Sequence, residues 1–180
     1  MYTLEEKAIR YVIKSFENYK RIKEDINMSA HSISVGFMLK DLGCKEEIII
    51  AGLLHDVLED TNISFEQLEN NFGTEIANLV LKVSEDKSIS DWRLRKENFI
   101  NHLKTQNEDI LLIEVADKLD NLLSDYDLWL KKKDDVFINN DRTFDDYIWY
   151  YLEMKKLFNE KLLKNNLLDR YNEITNTYFN

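Results

Sequence analysis

The chain has 180 residues, of which 44% are hydrophobic and 32% are charged, a balance typical of one globular domain. The formal net charge of -10 argues against duplex nucleic acid as a partner, because affinity for nucleic acid comes largely from Lys and Arg that neutralise phosphates. No apolar run approaches the ~18 residues of a membrane span, no signal-peptide pattern opens the chain, and the single Cys44 cannot form an intrachain disulfide, so we expect a cytoplasmic protein with no membrane partner.

The spacing of apolar residues predicts helices throughout. The absence of proline and the presence of only four glycines leave few helix breakers, and apolar residues recur every three or four positions. The sequence therefore predicts an all-α fold, a bundle of about seven to nine helices in which residues 1–180 form one domain. The predicted helices cover about Thr3–Lys23, Ser29–Leu42, Ile48–Glu59, a short stretch from Ser64 to before Gly73, Thr74–Val83, Arg93–Lys104, Ile110–Leu123, Phe144–Asn159 and Leu162–Phe179. Ser84–Trp92 and Lys131–Thr143 are predicted connections.

The segment Leu53–Thr61 places a His-Asp pair one helical turn ahead of two further acids. On a helix, Asp56, Glu59 and Asp60 lie within about 140° of His55, whereas the leucines and the valine of the segment face the other side. Burying unpaired charges costs several kcal/mol each, of order 5, and a metal ion would remove that cost. The alternative is a solvated polar face on an amphipathic helix.

Two other positions extend this cluster into a candidate site. His31 lies near the start of the second predicted helix, where a lone histidine also fits a hydrogen-bonded core residue. Asp117 follows the mainly apolar run Ile110–Ala116, and Asn121 lies four residues later on the same helix face. A carboxylate in such a setting needs a cation as its partner.

The order of one His, then His-Asp, then a distant Asp resembles that of the HD-domain phosphohydrolases. The closest resemblance is to the hydrolase module of the RelA/SpoT alarmone enzymes, in particular their small stand-alone members, over about residues 5–160. The matching segments are Ala51–Thr61, Phe72-Gly73, Ser84–Ser88, Arg95-Lys96 and Glu114–Leu122.

The resemblance implies a metal-dependent enzyme that removes the 3′-pyrophosphate from guanosine tetra- or pentaphosphate. It implies one divalent ion, commonly manganese, held by His31, His55, Asp56 and Asp117. Iron, zinc or another metal also suits such a mixed nitrogen and oxygen set. The acidic pair Glu59 and Asp60 would then activate and orient the attacking water.

Basic residues near these segments are candidates for binding the phosphates. Asn121 matches a pocket residue that contacts the nucleotide. The basic candidates, each of which also fits an ordinary surface charge, are Lys20, Arg21, Lys23, Arg93, Arg95, Lys96 and Lys118. The chain departs from the family before His31, where Arg21-Ile22-Lys23 replaces an Arg-Lys pair and no Pro-Tyr follows, and at Asp120, where the family has His or Tyr.

Three functional hypotheses follow. The first is a pyrophosphohydrolase acting on a guanosine polyphosphate. The second keeps the metal site but acts as a nucleotidase or phosphatase on another phosphorylated metabolite. The third is a non-catalytic helical module that binds nucleotide, or a protein partner, and uses the metal only for stability. Each involves a small phosphorylated ligand or a partner protein, and each is compatible with a homo-oligomer.

Overall fold

The computed structural model describes residues 2–21, 24–132 and 143–179. Within these ranges it contains nine α-helices of eight or more residues and one four-residue helical segment, which confirms the all-α prediction. The helices are α1 (Leu4–Ser15), α2 (Ser29–Asp41), α3 (Glu46–Leu54), α4 (Val57–Asp60), α5 (Phe65–Phe72), α6 (Thr74–Val83), α7 (Trp92–Leu103), α8 (Glu108–Lys132), α9 (Phe144–Lys161) and α10 (Asn166–Tyr178). Two short strands, β1 (Lys20–Arg21) and β2 (Ile26–Asn27), pair antiparallel between α1 and α2.

Local capping signals account for several boundaries. Ser64 accepts the N–H of Gln67, whose side chain accepts the N–H of Ser64, and this capping box starts α5. Gly43 follows α2 with φ of 82°, a left-handed conformation that glycine adopts without steric cost. The start of α5 and the end of α2 lie within a residue or two of the positions that the sequence predicts.

The first helix is shorter than predicted. It ends at Ser15 rather than Lys23, and the chain turns into the β1–β2 hairpin. The side-chain amide of Asn27 donates to the carbonyl of Phe16 at 2.7 Å, and the N–H of Met28 donates to the carbonyl of Tyr19 at 3.0 Å. These contacts satisfy carbonyls that further helical turns would otherwise use, so the predicted extension is wrong.

The predicted helix Ile48–Glu59 is in fact two helices. The structure interrupts it at His55 and Asp56, between α3 and α4. The carbonyl of Gly52, which an unbroken helix would offer to the N–H of Asp56, contacts Nδ1 of the His55 ring at 2.8 Å. The side chain thus competes with the backbone for this acceptor, and the chain bends at the His-Asp pair.

The core brings α2, α3 and α8 together. A methyl group added at Gly36 or Gly52 would overlap the side chain of Leu53 or Leu39, respectively, so the two glycines allow α2 and α3 to pack closely. Helix α8 is almost entirely buried from Ile110 to Leu119, which places its polar residues in the interior. It continues to Lys132, so the predicted connection at Lys131–Thr143 begins later than expected, and residues 133–142 lie outside the described residues. None of the helices in the described segments combines the length and apolar composition needed to cross a membrane.

Candidate metal centre

Three buried donors from separate parts of the chain meet at one point. His31 lies in the first turns of α2, His55 at the bend after α3, and Asp117 in the middle of α8. Nε2 of His31 lies 3.1 Å from Oδ1 of Asp117 and 3.1 Å from Nε2 of His55. One ligand atom from each residue lies within 4.8 Å of the other two.

Asp56 lies beside this group. Its Oδ1 is 3.2 Å from Nε2 of His55, and its Oδ2 is 3.6 Å from Nε2 of His31. The structure therefore brings all four predicted ligands together, with both carboxylates facing both imidazoles.

The arrangement fits a divalent cation. Ligands at about 2.0–2.2 Å from one ion lie roughly 3.0–3.6 Å from each other. The two Nε2 atoms lie 3.1 Å apart, and each lies 3.1–3.6 Å from an oxygen of Asp56 and of Asp117. Each Nδ1 faces an acceptor: Asp120 Oδ2 lies 2.6 Å from that of His31, and the Gly52 carbonyl lies 2.8 Å from that of His55. With both Nδ1 atoms protonated, both Nε2 atoms present lone pairs to the same point. Two such lone pairs 3.1 Å apart call for a positive charge between them.

The electrostatics of the centre are dominated by its carboxylates. Burial alone would lower the pKa of His31, but hydrogen bonds to Asp117 and Asp120 outweigh it and raise that pKa. Burial likewise opposes a raised pKa at His55, yet Asp56 and Asp117 hold that pKa well above its usual value. The pocket therefore favours positive charge at the imidazoles, which either protons or a metal ion can supply.

Asp117 is the most strongly stabilised anion of the centre. Burial opposes its ionisation, but Lys118 and the two imidazoles hold the pKa of Asp117 well below its usual value. Nζ of Lys118 lies 2.5 Å from Oδ2 of Asp117, leaving Oδ1 toward the imidazoles. The carboxyl group of Asp117 is thus ionised at neutral pH.

The acidic pair of α4 lies next to the His-Asp bend. Glu59 accepts the N–H of Glu85 at 2.8 Å, and Nζ of Lys87 lies 2.8 Å from Oε1 of Glu59 and 3.1 Å from Oδ1 of Asp60. Burial raises the pKa of Glu59, with Glu85 adding to the effect, and burial followed by Asp56 raises the pKa of Asp60. Both groups therefore take up a proton more readily than an ordinary surface carboxylate.

A second cluster of charged side chains, centred on Glu85, adjoins the acidic pair Glu59 and Asp60. Glu85 forms ion pairs with Arg95 and with Lys96, and all three side chains are largely buried. Burial opposes ionisation of Glu85, but Lys96 and then Lys118 lower its pKa. Nζ of Lys118 also lies 3.5 Å from Oε2 of the buried Glu114.

The other predicted substrate contacts have varied surroundings. Lys20 is exposed and pairs with Asp25, and Arg93 is about half exposed and pairs with Glu97. Arg21 is largely buried and donates to Asp120 at 3.1 Å and to Asn121 at 2.6 Å. The amide of Asn121 donates to Oδ1 of Asp117 at 2.6 Å, and Lys23 lies outside the described residues. Eight residues stay predictions as substrate contacts: Lys20, Arg21, Lys23, Arg93, Arg95, Lys96, Lys118 and Asn121.

Comparison with known proteins agrees with this geometry. The family model of the HD domain matches residues 8–133, which include all four donor residues. The chain belongs to the HD domain family.

Two solved structures resemble this HD domain over most of their length. One, described as a metazoan ortholog of SpoT that hydrolyzes ppGpp, has a TM-score of 0.80 at 28% identity and covers 98% of this chain and 96% of that chain. The other, from Listeria monocytogenes EGD-e, has a TM-score of 0.72 at 33% identity and covers 83% of this chain and 93% of that chain.

Curated relatives carry the name guanosine-3′,5′-bis(diphosphate) 3′-pyrophosphohydrolase. A probable enzyme of this name from Synechocystis sp. is 42% identical over 98 residues, which are 52% of this chain and 13% of the relative. One from Drosophila melanogaster is 40% identical over 94 residues, which are 51% of this chain and 52% of the relative. The chain thus spans about half the length, or less, of these relatives.

Two side chains at the site, Asp120 and Lys87, have contacts that the sequence does not predict. Asp120 departs from the family pattern in sequence, and it contacts His31 directly. Its position three residues after Asp117, on the same face of α8, is the signal that could have found it. Lys87 lies in the segment Ser84–Ser88, and its contact with Glu59 and Asp60 depends on a loop conformation that the local sequence does not predict.

Proposed function

We propose that this chain is a metal-dependent phosphohydrolase that removes the 3′-pyrophosphate from guanosine tetra- or pentaphosphate. The observation that carries the proposal is the convergence of His31, His55 and Asp117, together with Asp56, around one point beside a protonatable acidic pair. The names of the curated relatives and of the structural neighbour supply the substrate class.

The metal would be held by His31, His55, Asp56 and Asp117. Two neutral imidazoles and two carboxylates balance the charge of a divalent ion, and manganese is the metal we propose first. A bound ion in such a set lowers the pKa of water and polarises a phosphoryl oxygen. Because the imidazoles have raised pKa values, we expect metal binding to release protons and to weaken as pH falls.

The residues of α4 would handle the proton of the attacking water. Glu59 or Asp60 accepts that proton while the water oxygen bonds to the phosphorus next to the ribose 3′ oxygen. The phosphorus–oxygen bond to the ribose breaks, and the 3′ oxygen takes a proton. The products are pyrophosphate and the nucleoside 5′-diphosphate from the tetraphosphate, or the 5′-triphosphate from the pentaphosphate. The raised pKa values of Glu59 and Asp60 support this role, since a more basic carboxylate accepts a proton more readily.

The cations around the acidic pair would stabilise the phosphates. Lys87 contacts Glu59 and Asp60, Lys96 contacts Glu85, and Lys118 contacts Asp117, so three cations, each paired with a carboxylate, lie at the candidate site within a chain of net charge -10. Local charge of this kind decides whether a phosphorylated ligand enters a cleft.

A second candidate is a phosphohydrolase of the same site acting on another phosphorylated metabolite. The observation that favours it is the state of the basic residues ahead of His31. Arg21 is engaged by Asp120, Asn121 and Glu24, and Lys20 pairs with Asp25 at the surface. Their charges are thus already compensated where the family resemblance expects contacts to the guanine nucleotide.

One experiment separates these functions. Purified protein is stripped of metal, its residual metal is quantified, and manganese, iron or zinc is added back before incubation with guanosine tetraphosphate, guanosine pentaphosphate, GTP and nucleoside monophosphates. We expect manganese-dependent release of pyrophosphate from the first two compounds. Phosphate release from a simple nucleotide without pyrophosphate release would favour the second candidate. Nucleotide binding without any turnover would favour the non-catalytic module, and full activity of the metal-free protein would contradict both enzymatic functions.

A further inference from the structure

Asp120 makes the shortest contact of the His31 ring. Oδ2 of Asp120 lies 2.6 Å from Nδ1 of His31, on the side of the ring opposite the metal centre. Asp117 and Asp120 are three residues apart on α8, so both carboxylates face α2 and contact the two nitrogens of the same imidazole. The ring is therefore held between two carboxylates from one helix.

This contact has a chemical consequence for metal binding. An imidazole can offer Nε2 to a cation only when its proton is on Nδ1, and an acceptor at Nδ1 selects that tautomer. His55 has a neutral acceptor in this role, the carbonyl of Gly52 at 2.8 Å. His31 has a carboxylate, and hydrogen bonds to ionised acceptors are stronger than those to neutral ones.

Asp120 is itself held by its neighbours. The hydroxyl of Ser34 donates to Oδ1 of Asp120, and Nη1 of Arg21 donates to Oδ2 at 3.1 Å. The same guanidinium donates through Nη2 to Asn121 at 2.6 Å, and Asn121 donates to Asp117 at 2.6 Å. One largely buried arginine thus connects to both His31 and Asp117 through intermediate side chains.

We propose that Asp120 is a positioning residue that fixes His31 with its Nε2 toward the metal, and that Arg21 holds Asp120 and Asn121 in place for this purpose. The inference rests on the proposed metal centre and goes beyond it. It assigns Asp120 to metal affinity and gives Arg21 a positioning role instead of direct contact with substrate.

Metal affinity is the first test. Manganese binding is titrated for the wild type and for Asp120→Ala, Asp120→Asn and Asp127→Asn. We expect Asp120→Ala to weaken binding 10–100-fold, the usual effect of losing such an outer partner, and Asp120→Asn to weaken it less because its amide oxygen still accepts a hydrogen bond. Asp127 lies on the same helix with an exposed side chain paired to Lys131, so Asp127→Asn controls for loss of one negative charge.

The second test observes the histidine ring itself. Zinc-loaded protein is suited to NMR because zinc is diamagnetic, and the chain has only three histidines. We expect a strongly downfield, slowly exchanging Nδ1 proton for His31 in the wild type that disappears in Asp120→Ala, while the His55 signal persists. Circular dichroism and thermal unfolding establish that each variant is folded, and Asp120→Asn replaces Asp120→Ala if the latter does not fold.

Arg21 provides a third test. Under the inference, Arg21→Gln weakens manganese binding several-fold, and it adds little to the effect of Asp120→Ala in the double variant, because the two residues act through one contact. The exposed Arg10→Gln serves as the charge-matched control. A higher KM for substrate with unchanged metal affinity in Arg21→Gln would overturn the assignment of Arg21.

The outcomes separate this inference from the proposed function. A wild-type protein that binds no divalent metal would contradict the proposed function as well as the inference. Metal binding by the wild type with equal affinity in Asp120→Ala, and an unchanged His31 proton signal, would overturn the inference alone. Weakened affinity together with loss of that signal, and recovery of turnover at saturating metal, would support it.

Discussion

Nε2 of His31 and Oδ1 of Asp117 lie 3.1 Å apart, although the two residues belong to α2 and α8 and are distant in sequence. Both side chains are almost fully buried. Two polar groups brought together in the interior without a structural need are costly, so their meeting point indicates a site rather than ordinary packing.

Replacing Asp117 should abolish the centre. Asp117→Asn keeps the shape of the side chain but removes the charge that faces both imidazoles. We expect manganese affinity to fall at least ~100-fold and hydrolysis of guanosine tetraphosphate to fall to background, because the site loses an anionic ligand. Metal titration and a pyrophosphate-release assay measure the two effects. Retained turnover with one equivalent of bound metal would show that Asp117 is not a ligand.

The acidic pair should separate catalysis from metal binding. We expect Glu59→Gln to lower kcat by about 10²–10⁴ while leaving manganese affinity within about threefold of the wild type, because general-base catalysis contributes in that range. Glutamine retains an acceptor for the N–H of Glu85, so the local fold should persist. Asp60→Asn is tested alongside, and the exposed Glu66→Gln is the matched control. A fall in metal affinity equal to the fall in kcat would instead place Glu59 among the ligands.

The sequence predicts those parts of the fold that depend on local signals. The capping box at Ser64 and the left-handed Gly43 are short-range features, and they set the start of α5 and the end of α2. The order of the four donor residues along the chain resembles a family pattern and so predicts them as a set, and the structure brings them together.

The sequence does not predict features that depend on contacts between distant segments. The end of α1 depends on Asn27, which lies in β2 and donates to the carbonyl of Phe16. The bend at His55 depends on a side chain that competes for the carbonyl of Gly52. Asp120 has the residue type of any exposed helical acid, and only the packing of α2 against α8 places it on the His31 ring.

Gly52 should affect stability and metal binding together. A methyl group at Gly52 would overlap Leu39, which is fully buried, so we expect Gly52→Ala to cost about 1–3 kcal/mol of unfolding free energy. Gly36→Ala is a matched control because it overlaps Leu53 across the same α2–α3 contact. Of the two glycines, only Gly52 also contacts the His55 ring, so we expect manganese affinity to fall more in Gly52→Ala than in Gly36→Ala. Urea unfolding and metal titration measure both quantities, and equal losses of affinity would contradict the role of the Gly52 carbonyl.

Glu114 should make stability fall as pH rises. Burial raises the pKa of this carboxyl from 4.5 to about 8, although Lys118 opposes the shift. The folded protein therefore keeps the Glu114 proton up to about pH 8, whereas the unfolded chain loses it near 4.5. Between these values the unfolded state binds fewer protons, so this group lowers the free energy of unfolding progressively with rising pH.

Glu114→Gln removes this titration and keeps the side-chain volume. Lys118 retains its contact with Asp117, so the variant should fold. Each pKa unit corresponds to about 1.4 kcal/mol, and we expect the variant to gain of order 3 kcal/mol relative to the wild type between pH 5 and pH 7.5. Urea unfolding of metal-free protein across that range measures the difference, and Glu66→Gln corrects for titration elsewhere in the molecule. Parallel pH profiles for the wild type and Glu114→Gln would mean that Glu114 is already ionised in the folded protein, with Lys118 fully compensating its burial.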